Sequence, residues 1–416
     1  MNRLELSIQI LELDSLANLS ARELSELIKF LTISEQCVGG PYAPASPIDM
    51  TVFNAKIYKL FADQGKVLSR IAPHAKLADG PQPHLNEETP IPHISKRNEN
   101  LYQRVEIFVN SLPASAKSIA LSVLYKIRQT DADGEISRQS EYFYNSLKEP
   151  FTKQIRLENK QIQEMDEANI LTWLAYSLLD THYDTGGRAD AVPISNIVLR
   201  RAVALYQKAG VAQSIIKDLF RKVDIANYTE LALRDAQSRR DQPSQLFIHS
   251  ASPEKLKPLL SDKSIAHIIG PVYMLTLCGI SKDAALIALR SYCAARQLLD
   301  DLHDWKDDLS DSQPTYVTQT LVKSAGLELG LYEKSEILDT LGDLFWSEEL
   351  SKLCNETLIM AIQARSHLEN VALRPSSLYV ATCIDKLIRQ TELILKDHSF
   401  AKHFLDEYTI SPILKV

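Results

Sequence analysis

The chain has few glycines for its length, 13 in 416 residues. Its five cysteines are scattered, odd in number and without a Cys-x-x-Cys pair. This pattern argues against a disulfide framework and a structural zinc site, and it favours reduced thiols in a cytoplasmic protein. Because Ala, Leu, Ser, Glu and Lys are frequent where glycine is scarce, the composition favours helices joined by short loops.

A long apolar run and an excess of positive charge are also missing. The longest apolar stretch, residues 265–280, is too short to cross a bilayer and contains His267, Gly270 and Pro271. It predicts a buried, kinked helix and no transmembrane segment, and the N-terminus does not resemble a signal peptide. The net charge of −7 argues against a nucleic-acid partner. An anionic substrate stays compatible with an acidic protein if metal ions lie between the two charges.

Apolar residues recur at helical spacing along almost the whole chain, and no stretch has a convincing strand pattern. We therefore expect an all-α fold, an antiparallel bundle of about ten or more helices. Residues 72–97 hold five prolines and lack a periodic apolar face. They predict a linker between an N-terminal helical extension, 1–71, and a main helical domain, 98–416. The helices are expected near 98–112, 114–129, 135–149, 166–184, 193–209, 211–224, 226–240, 263–279, 282–306, 315–325, 333–353, 355–371 and 376–396.

The most acidic segment lies near residues 290–311. It holds six aspartates: Asp300, Asp301, Asp304, Asp307, Asp308 and Asp311. On a helix, one stripe holds Arg290, Cys293, Ala294, Gln297, Asp301, Asp304 and Asp308, with Asp300 beside it. Like charges at this spacing repel each other, so the cluster favours a compensating cation over a solvated helix end. Carboxylate oxygens suit Mg²⁺, which also takes water and phosphate oxygens as ligands.

A second pair of carboxylates, Asp180 and Asp184, is spaced to share one helix face, which Trp173 and Tyr176 continue. Carboxylates near a helix C-terminus oppose the helix dipole, which favours metal binding over a structural role. Two glycines and Arg188 follow, and Arg188 is either a diphosphate contact or a helix cap. Trp173 and Tyr176 are either cavity wall or core.

Further basic residues carry weaker predictions. Arg290 is a candidate anion contact because it shares the aspartate stripe, whereas Arg296 is better explained by an intrahelical ion pair with Asp300. Arg239 and Arg240 fit a plain surface loop better than a phosphate-binding lid.

The two acidic segments carry a family resemblance. Residues 297–304, Gln-Leu-Leu-Asp-Asp-Leu-His-Asp, resemble the QxxDDxxD motif of trans-prenyl diphosphate synthases and also the corresponding segment of squalene and phytoene synthases. Residues 179–184 resemble the first motif of the same superfamily in a DxxxD form. The layout covers roughly residues 100–400 and identifies the class I isoprenoid synthase superfamily.

The resemblance implies an antiparallel bundle around a central apolar cavity. Asp180 and Asp184 would lie on one wall and Asp300, Asp301 and Asp304 on the other. These carboxylates would hold about two or three Mg²⁺ ions, which neutralise the diphosphate and polarise the C–O bond that breaks. The substrate would be a prenyl diphosphate, contacted by Arg188, Gln297, Arg290, Trp173 and Tyr176, and aromatic faces can stabilise an allylic cation.

The sequence departs from the chain-elongating members of that superfamily. It has no GGKRxRP-like segment, and Gly-Gly-Arg-Ala-Asp at 186–190 replaces their Arg-Arg-Gly. We therefore expect a terpene synthase-like enzyme that ionises one prenyl diphosphate, after which the cation cyclises, loses a proton or is coupled. Chain elongation and head-to-head prenyl transfer are the alternatives, and a non-catalytic helical scaffold is a further one. A di-iron bundle ranks last because its Glu-x-x-His pairs are missing from both acidic segments. A homodimer is compatible with each.

Residues 34–43, near the N-terminus, are similar to a repeat turn of squalene cyclase-type α/α barrels. One short copy cannot form such a barrel, and the DxDD motif of class II cyclases is missing. We expect a helix pair here and no class II activity.

Overall fold

The computed structural model describes residues 95–131, 137–147, 151, 155–184, 190–238, 245–248, 252–310, 313–328, 330–371, 383–396 and 398–399. The predicted N-terminal extension, its barrel-like turn and most of the predicted linker lie outside the described residues. So do Arg188, Arg239 and Arg240.

Helices dominate the described residues, as predicted. They are α1 (Ser95–Asn110), α2 (Ala114–Thr130), α3 (Gln139–Ser146), α4 (Asn159–Asp184), α5 (Ala191–Lys208), α6 (Gln213–Ser238), α7 (Pro253–Ser264), α8 (Ile269–Leu277), α9 (Lys282–Ser310), α10 (Tyr316–Ser324), α11 (Lys334–Leu344) and α12 (Leu350–Val371). Residues 383–396 are also helical. A π-helical turn, Phe345–Glu349, separates α11 from α12.

Two predicted helix boundaries differ from the structure in opposite ways. The helices expected at 211–224 and 226–240 are one continuous helix, α6, because its sequence contains neither glycine nor proline to end it. The single helix expected at 263–279 is divided into the last two residues of α7, a 3₁₀ turn at Ile265–Ile268, and α8. This break agrees with the kink predicted for the apolar run. The rest of α7, from Pro253 onward, was not predicted.

A short antiparallel strand pair was not predicted. Strand β1 (Gln245–Ile248) pairs with β2 (Gly330–Glu333), with Gln245 opposite Glu333 and Ile248 opposite Gly330. Each strand has four residues. That length is too short for an alternating pattern to stand out in the sequence.

Helix α4 lies at the centre of the bundle, where it packs against α1, α2, α3 and α5. Most of its apolar residues are buried, among them Met165, Leu171 and Leu178, and so are three acids in its first half. Glu164 pairs with Lys208 at 2.6 Å and Glu167 with Arg104 at 2.6 Å. Asp166 accepts hydrogen bonds from the backbone N–H groups of the first turn of α3. Because each acid has a partner, an acidic stretch of α4 can be buried.

Helices α3 and α8 approach each other closely at Gly270. A Cβ atom at this position would overlap with Ser140 Oγ, which belongs to the first turn of α3. Glycine is therefore required here by space rather than by backbone conformation.

The described residues fall into two compact units. One holds the described residues of 95–333 and 353–392, and the other holds Lys334–Lys352 together with 393–396 and 398–399. In the second unit the Trp346 and His398 rings meet edge to face at 5.0 Å. The predicted boundary at 72–97 stays a prediction. Within the described ranges, no helix is both long and apolar enough to cross a bilayer.

Candidate active site

Both acidic segments line one cavity of about 460 Å³ within the first unit. Helix α4 contributes Trp173, Tyr176 and Asp180, and helix α9 contributes Gln297, Asp300, Asp301, Asp304 and Asp308. Helices α6 and α7, the 3₁₀ turn and the segment before α10 complete the lining. Residues distant in sequence are thus brought to one space, as expected if the two helices face each other.

Helix α9 packs into the core with its apolar face and lines the cavity with the adjacent face. Leu298, Leu302, Trp305 and Leu309 are buried. Each directly follows a cavity residue in sequence: Gln297, Asp301, Asp304 and Asp308. Because the two sets share the same helical spacing, the packing of the apolar stripe fixes the direction of the carboxylates.

Asp301 is the most deeply buried aspartate of the cavity lining, with 5% of its surface exposed. Gln297 Nε2 donates a hydrogen bond to Asp301 Oδ1 at 2.9 Å. Burial raises the pKa of Asp301 to about 7, while Lys263 and Gln297 oppose the rise and Asp300 adds to it. Gln297 therefore stabilises and orients the ionised form of Asp301.

The neighbouring carboxylates crowd each other. Burial raises the pKa of Asp308 to about 8, with a further contribution from Asp301. The pKa of Asp304 is also raised, first by burial and then by Asp300. Asp308 lines the cavity, as its place on the predicted stripe allows, although the family motif does not include it.

Lys263, at the end of α7, was not predicted from the sequence. Its Nζ lies 2.5 Å from Glu230 Oε2 of α6, and both residues line the cavity. Burial alone would lower the pKa of Lys263, but Glu230, Asp301 and Asp308 together hold it above the usual value. Lys263 is therefore charged at any physiological pH.

The α4 wall combines aromatic rings with Asp180. Tyr176 OH donates a hydrogen bond to Asp224 Oδ1 of α6 at 3.1 Å, which fixes the ring against that helix. The Trp173 ring meets the His267 ring edge to face, with 6.2 Å between centroids. Both rings line the cavity. Asp184 ends α4, and its side chain lies outside the described residues.

Arg290 does not line this cavity, contrary to its predicted substrate contact. Its guanidinium contacts Asp262 Oδ1 at 2.8 Å and Ser261 Oγ at 3.1 Å. It lines a separate groove with Arg221, Lys222 and Lys282. Arg290 belongs to the same helix as the aspartates, as predicted, but it lies too far toward the N-terminus of α9 to reach the carboxylates.

The cavity offers ligands that suit Mg²⁺. Among the described residues, no group of three or more His, Cys, Asp or Glu side chains is arranged to hold a metal ion by itself. Mg²⁺ commonly uses one or two carboxylates and fills its remaining positions with water and phosphate oxygens. The raised pKa values of Asp301, Asp304 and Asp308 mark carboxylates that a divalent cation would stabilise in the ionised form. The donor set therefore fits the ion.

No protein-family model and no curated protein matches the chain by sequence. Solved structures do match it. The geranylgeranyl pyrophosphate synthase of Lactobacillus brevis aligns with a TM-score of 0.52 at 12% identity, over 72% of this chain and 95% of that one. That of Corynebacterium glutamicum, complexed with isoprenyl diphosphate and magnesium, aligns with a TM-score of 0.47 at 14% identity, over 71% and 98%. The first match confirms the predicted all-α isoprenoid synthase fold.

Proposed function

We propose that this chain, which has the fold of the class I isoprenoid synthases, ionises an allylic prenyl diphosphate in a Mg²⁺-dependent reaction and transfers the prenyl group. One observation carries the proposal: Asp180 of α4 shares a cavity with the carboxylates of α9 and with Lys263. This combination of hard oxygen ligands and a fixed cation suits a diphosphate that is neutralised by metal ions.

The residues that would hold Mg²⁺ are Asp180, Asp300, Asp301 and Asp304, with Asp184 proposed from the sequence alone. Bound Mg²⁺ supplies charge neutralisation and Lewis-acid polarisation of the bond to the leaving diphosphate. Lys263 adds a permanent positive charge for the phosphate oxygens. Gln297 keeps Asp301 oriented by its hydrogen bond.

The aromatic rings of the α4 wall, which also carries Asp180, would serve the organic cation. The Trp173 and Tyr176 rings and Leu231 are the apolar members of the described lining. An aromatic face attracts a positive charge through its quadrupole, most strongly when water is excluded. Tyr176 keeps its position through Asp224, so the ring is preorganised for this role.

Two fates of the allylic cation compete. Prenyl transfer to a second isoprenoid unit is supported by the similarity in fold to a geranylgeranyl pyrophosphate synthase. Cyclisation or elimination from one substrate is supported by the missing GGKRxRP-like segment and by the single leading aspartate of the first motif. We place prenyl transfer first and the single-substrate reaction second.

The test is a product analysis. The protein is incubated with geranyl, farnesyl or geranylgeranyl diphosphate, with and without isopentenyl diphosphate, in Mg²⁺ or in a chelator. Longer prenyl diphosphates that require isopentenyl diphosphate would support transfer, whereas hydrocarbons formed without it would support the second candidate. A non-catalytic scaffold predicts no Mg²⁺-dependent diphosphate release from any substrate.

A further inference from the structure

His267 lines the cavity, yet neither diphosphate binding nor cation stabilisation uses it. It lies in the 3₁₀ turn between α7 and α8, surrounded in sequence by the apolar residues Ile265, Ala266, Ile268 and Ile269. Those four neighbours are buried in the core. A histidine that is fixed in a rigid core turn and faces a reaction space can hold or accept a proton at a defined position.

The hydrogen bonds around His267 fix its tautomer. Asn169 Nδ2 donates to Gln139 Oε1 at 3.2 Å, which orients the Asn169 amide and leaves Oδ1 as the acceptor toward the histidine. His267 Nδ1 lies 3.0 Å from that oxygen. An amide oxygen only accepts, so Nδ1 carries the hydrogen and Nε2 carries the lone pair. In the part of the chain that the structure describes, Nε2 has no hydrogen-bond partner.

The ring is also neutral. Burial, and then the positive charge of Arg296, lower the pKa of His267 to about 3. The acids of the cavity lining and Lys263 face the same space, and the Trp173 ring holds the imidazole from the α4 side. Nε2 therefore presents a lone pair at physiological pH.

We propose that His267 Nε2 is the base that removes a proton from the carbocation at the end of the reaction. The proposal rests on the proposed function. In this step a C–H bond next to the cationic carbon breaks, and its electron pair forms a carbon–carbon double bond. The proton moves to Nε2 and gives an imidazolium, which then passes the proton to the released diphosphate or to water when the products leave.

A weak base is sufficient for this step. A C–H bond beside a carbocation is a far stronger acid than an imidazolium ion, so proton transfer to Nε2 is downhill. Chain extension, cyclisation and elimination to an alkene all end in the loss of such a proton. The role of His267 is therefore the same for either fate of the cation.

The first test measures how the cation is partitioned in the His267→Asn variant. Asparagine keeps an N–H donor for Asn169 but has no counterpart of the Nε2 lone pair. Per diphosphate released, the ratio of alkene-containing product to water-trapped prenyl alcohol is expected to fall by on the order of 10²-fold or more. His367→Asn, on α12 and outside the cavity lining, is the matched control and should keep the wild-type ratio. An unchanged ratio in His267→Asn would overturn the role of His267.

The second test needs no turnover. Imidazole ¹⁵N NMR of the intact protein, with His267 assigned by the loss of its signals in His267→Asn, reports tautomer and charge. We expect a neutral Nδ1–H ring from pH 7 down to pH 5, and a mixture of tautomers in Asn169→Ala. An imidazolium or an Nε2–H ring at pH 7 would overturn the proposal. If the wild type releases no diphosphate with Mg²⁺, the proposed function itself fails; release with an unchanged product ratio removes only the base.

Discussion

Lys263 shows how single residues compensate one another in the cavity. It is the one lysine or arginine among the described lining residues, and it faces Glu230, Asp301 and Asp308. Burial and the charges of neighbouring carboxylates favour the protonated forms of Asp301 and Asp308, and Lys263 opposes both effects. The positive charge of Lys263 therefore limits how far the pKa values of Asp301 and Asp308 rise before any metal or substrate binds.

Replacing Lys263 by methionine keeps most of the side-chain volume and removes the charge. We expect kcat/KM for the prenyl diphosphate to fall by about 10²-fold, because a fixed donor to the phosphate oxygens is lost. Steady-state kinetics with excess Mg²⁺ measure the effect. Lys263→Arg keeps the charge and should retain more activity than Lys263→Met. Equal activity of Lys263→Met and the wild type would show that Lys263 does not contact the diphosphate.

The cavity residues that the sequence did not predict were all missed for the same physical reason. Lys263, Glu230 and His267 come from different helices or turns, and each has an ordinary local sequence. They acquire a role only when tertiary packing brings them to one cavity. The aspartates of α9 were predictable because like charges at helical spacing conflict with helix stability unless a cation compensates them.

At the scale of elements, the 3₁₀ turn that carries His267 depends on the approach of α8 to α3. Gly270 begins this approach one turn beyond His267, against Ser140. Gly270→Ala should lower the free energy of unfolding by about 1–3 kcal/mol, since its Cβ would overlap with Ser140 Oγ. Urea denaturation followed by circular dichroism measures the change.

A double-mutant cycle identifies the cause of that loss. In the Ser140→Ala background the overlapping oxygen is gone, so the cost of Gly270→Ala should be smaller. The same cost in both backgrounds would contradict an overlap with Ser140.

Element boundaries were predicted where the sequence contains a clear signal. Gly270 and Pro271 predicted the break in the apolar run, and the structure has a 3₁₀ turn just before them. Helix α6 continues through the boundary predicted near residue 225, because no residue there opposes helix formation. The four-residue strands were missed because their pairing is long-range and leaves little local pattern.

At the scale of the whole molecule, the all-α bundle followed from composition and helical periodicity, and the fold comparison agrees with it. The facing of α4 and α9 followed from the family motifs. The lining of the cavity could not be predicted, because the positions of α6 and α7 beside α9 are set by packing between distant segments. The polar character of the described lining suits the diphosphate end of a substrate.

The central claim is that carboxylates from α4 and α9 act together on one diphosphate. The most direct measurement is diphosphate release from a prenyl diphosphate by the wild type, Asp180→Asn and Asp301→Asn, each with Mg²⁺ and with a chelator. The account predicts Mg²⁺-dependent release by the wild type and loss of most turnover in both variants, with unchanged helical circular dichroism. Full activity in both variants would contradict it.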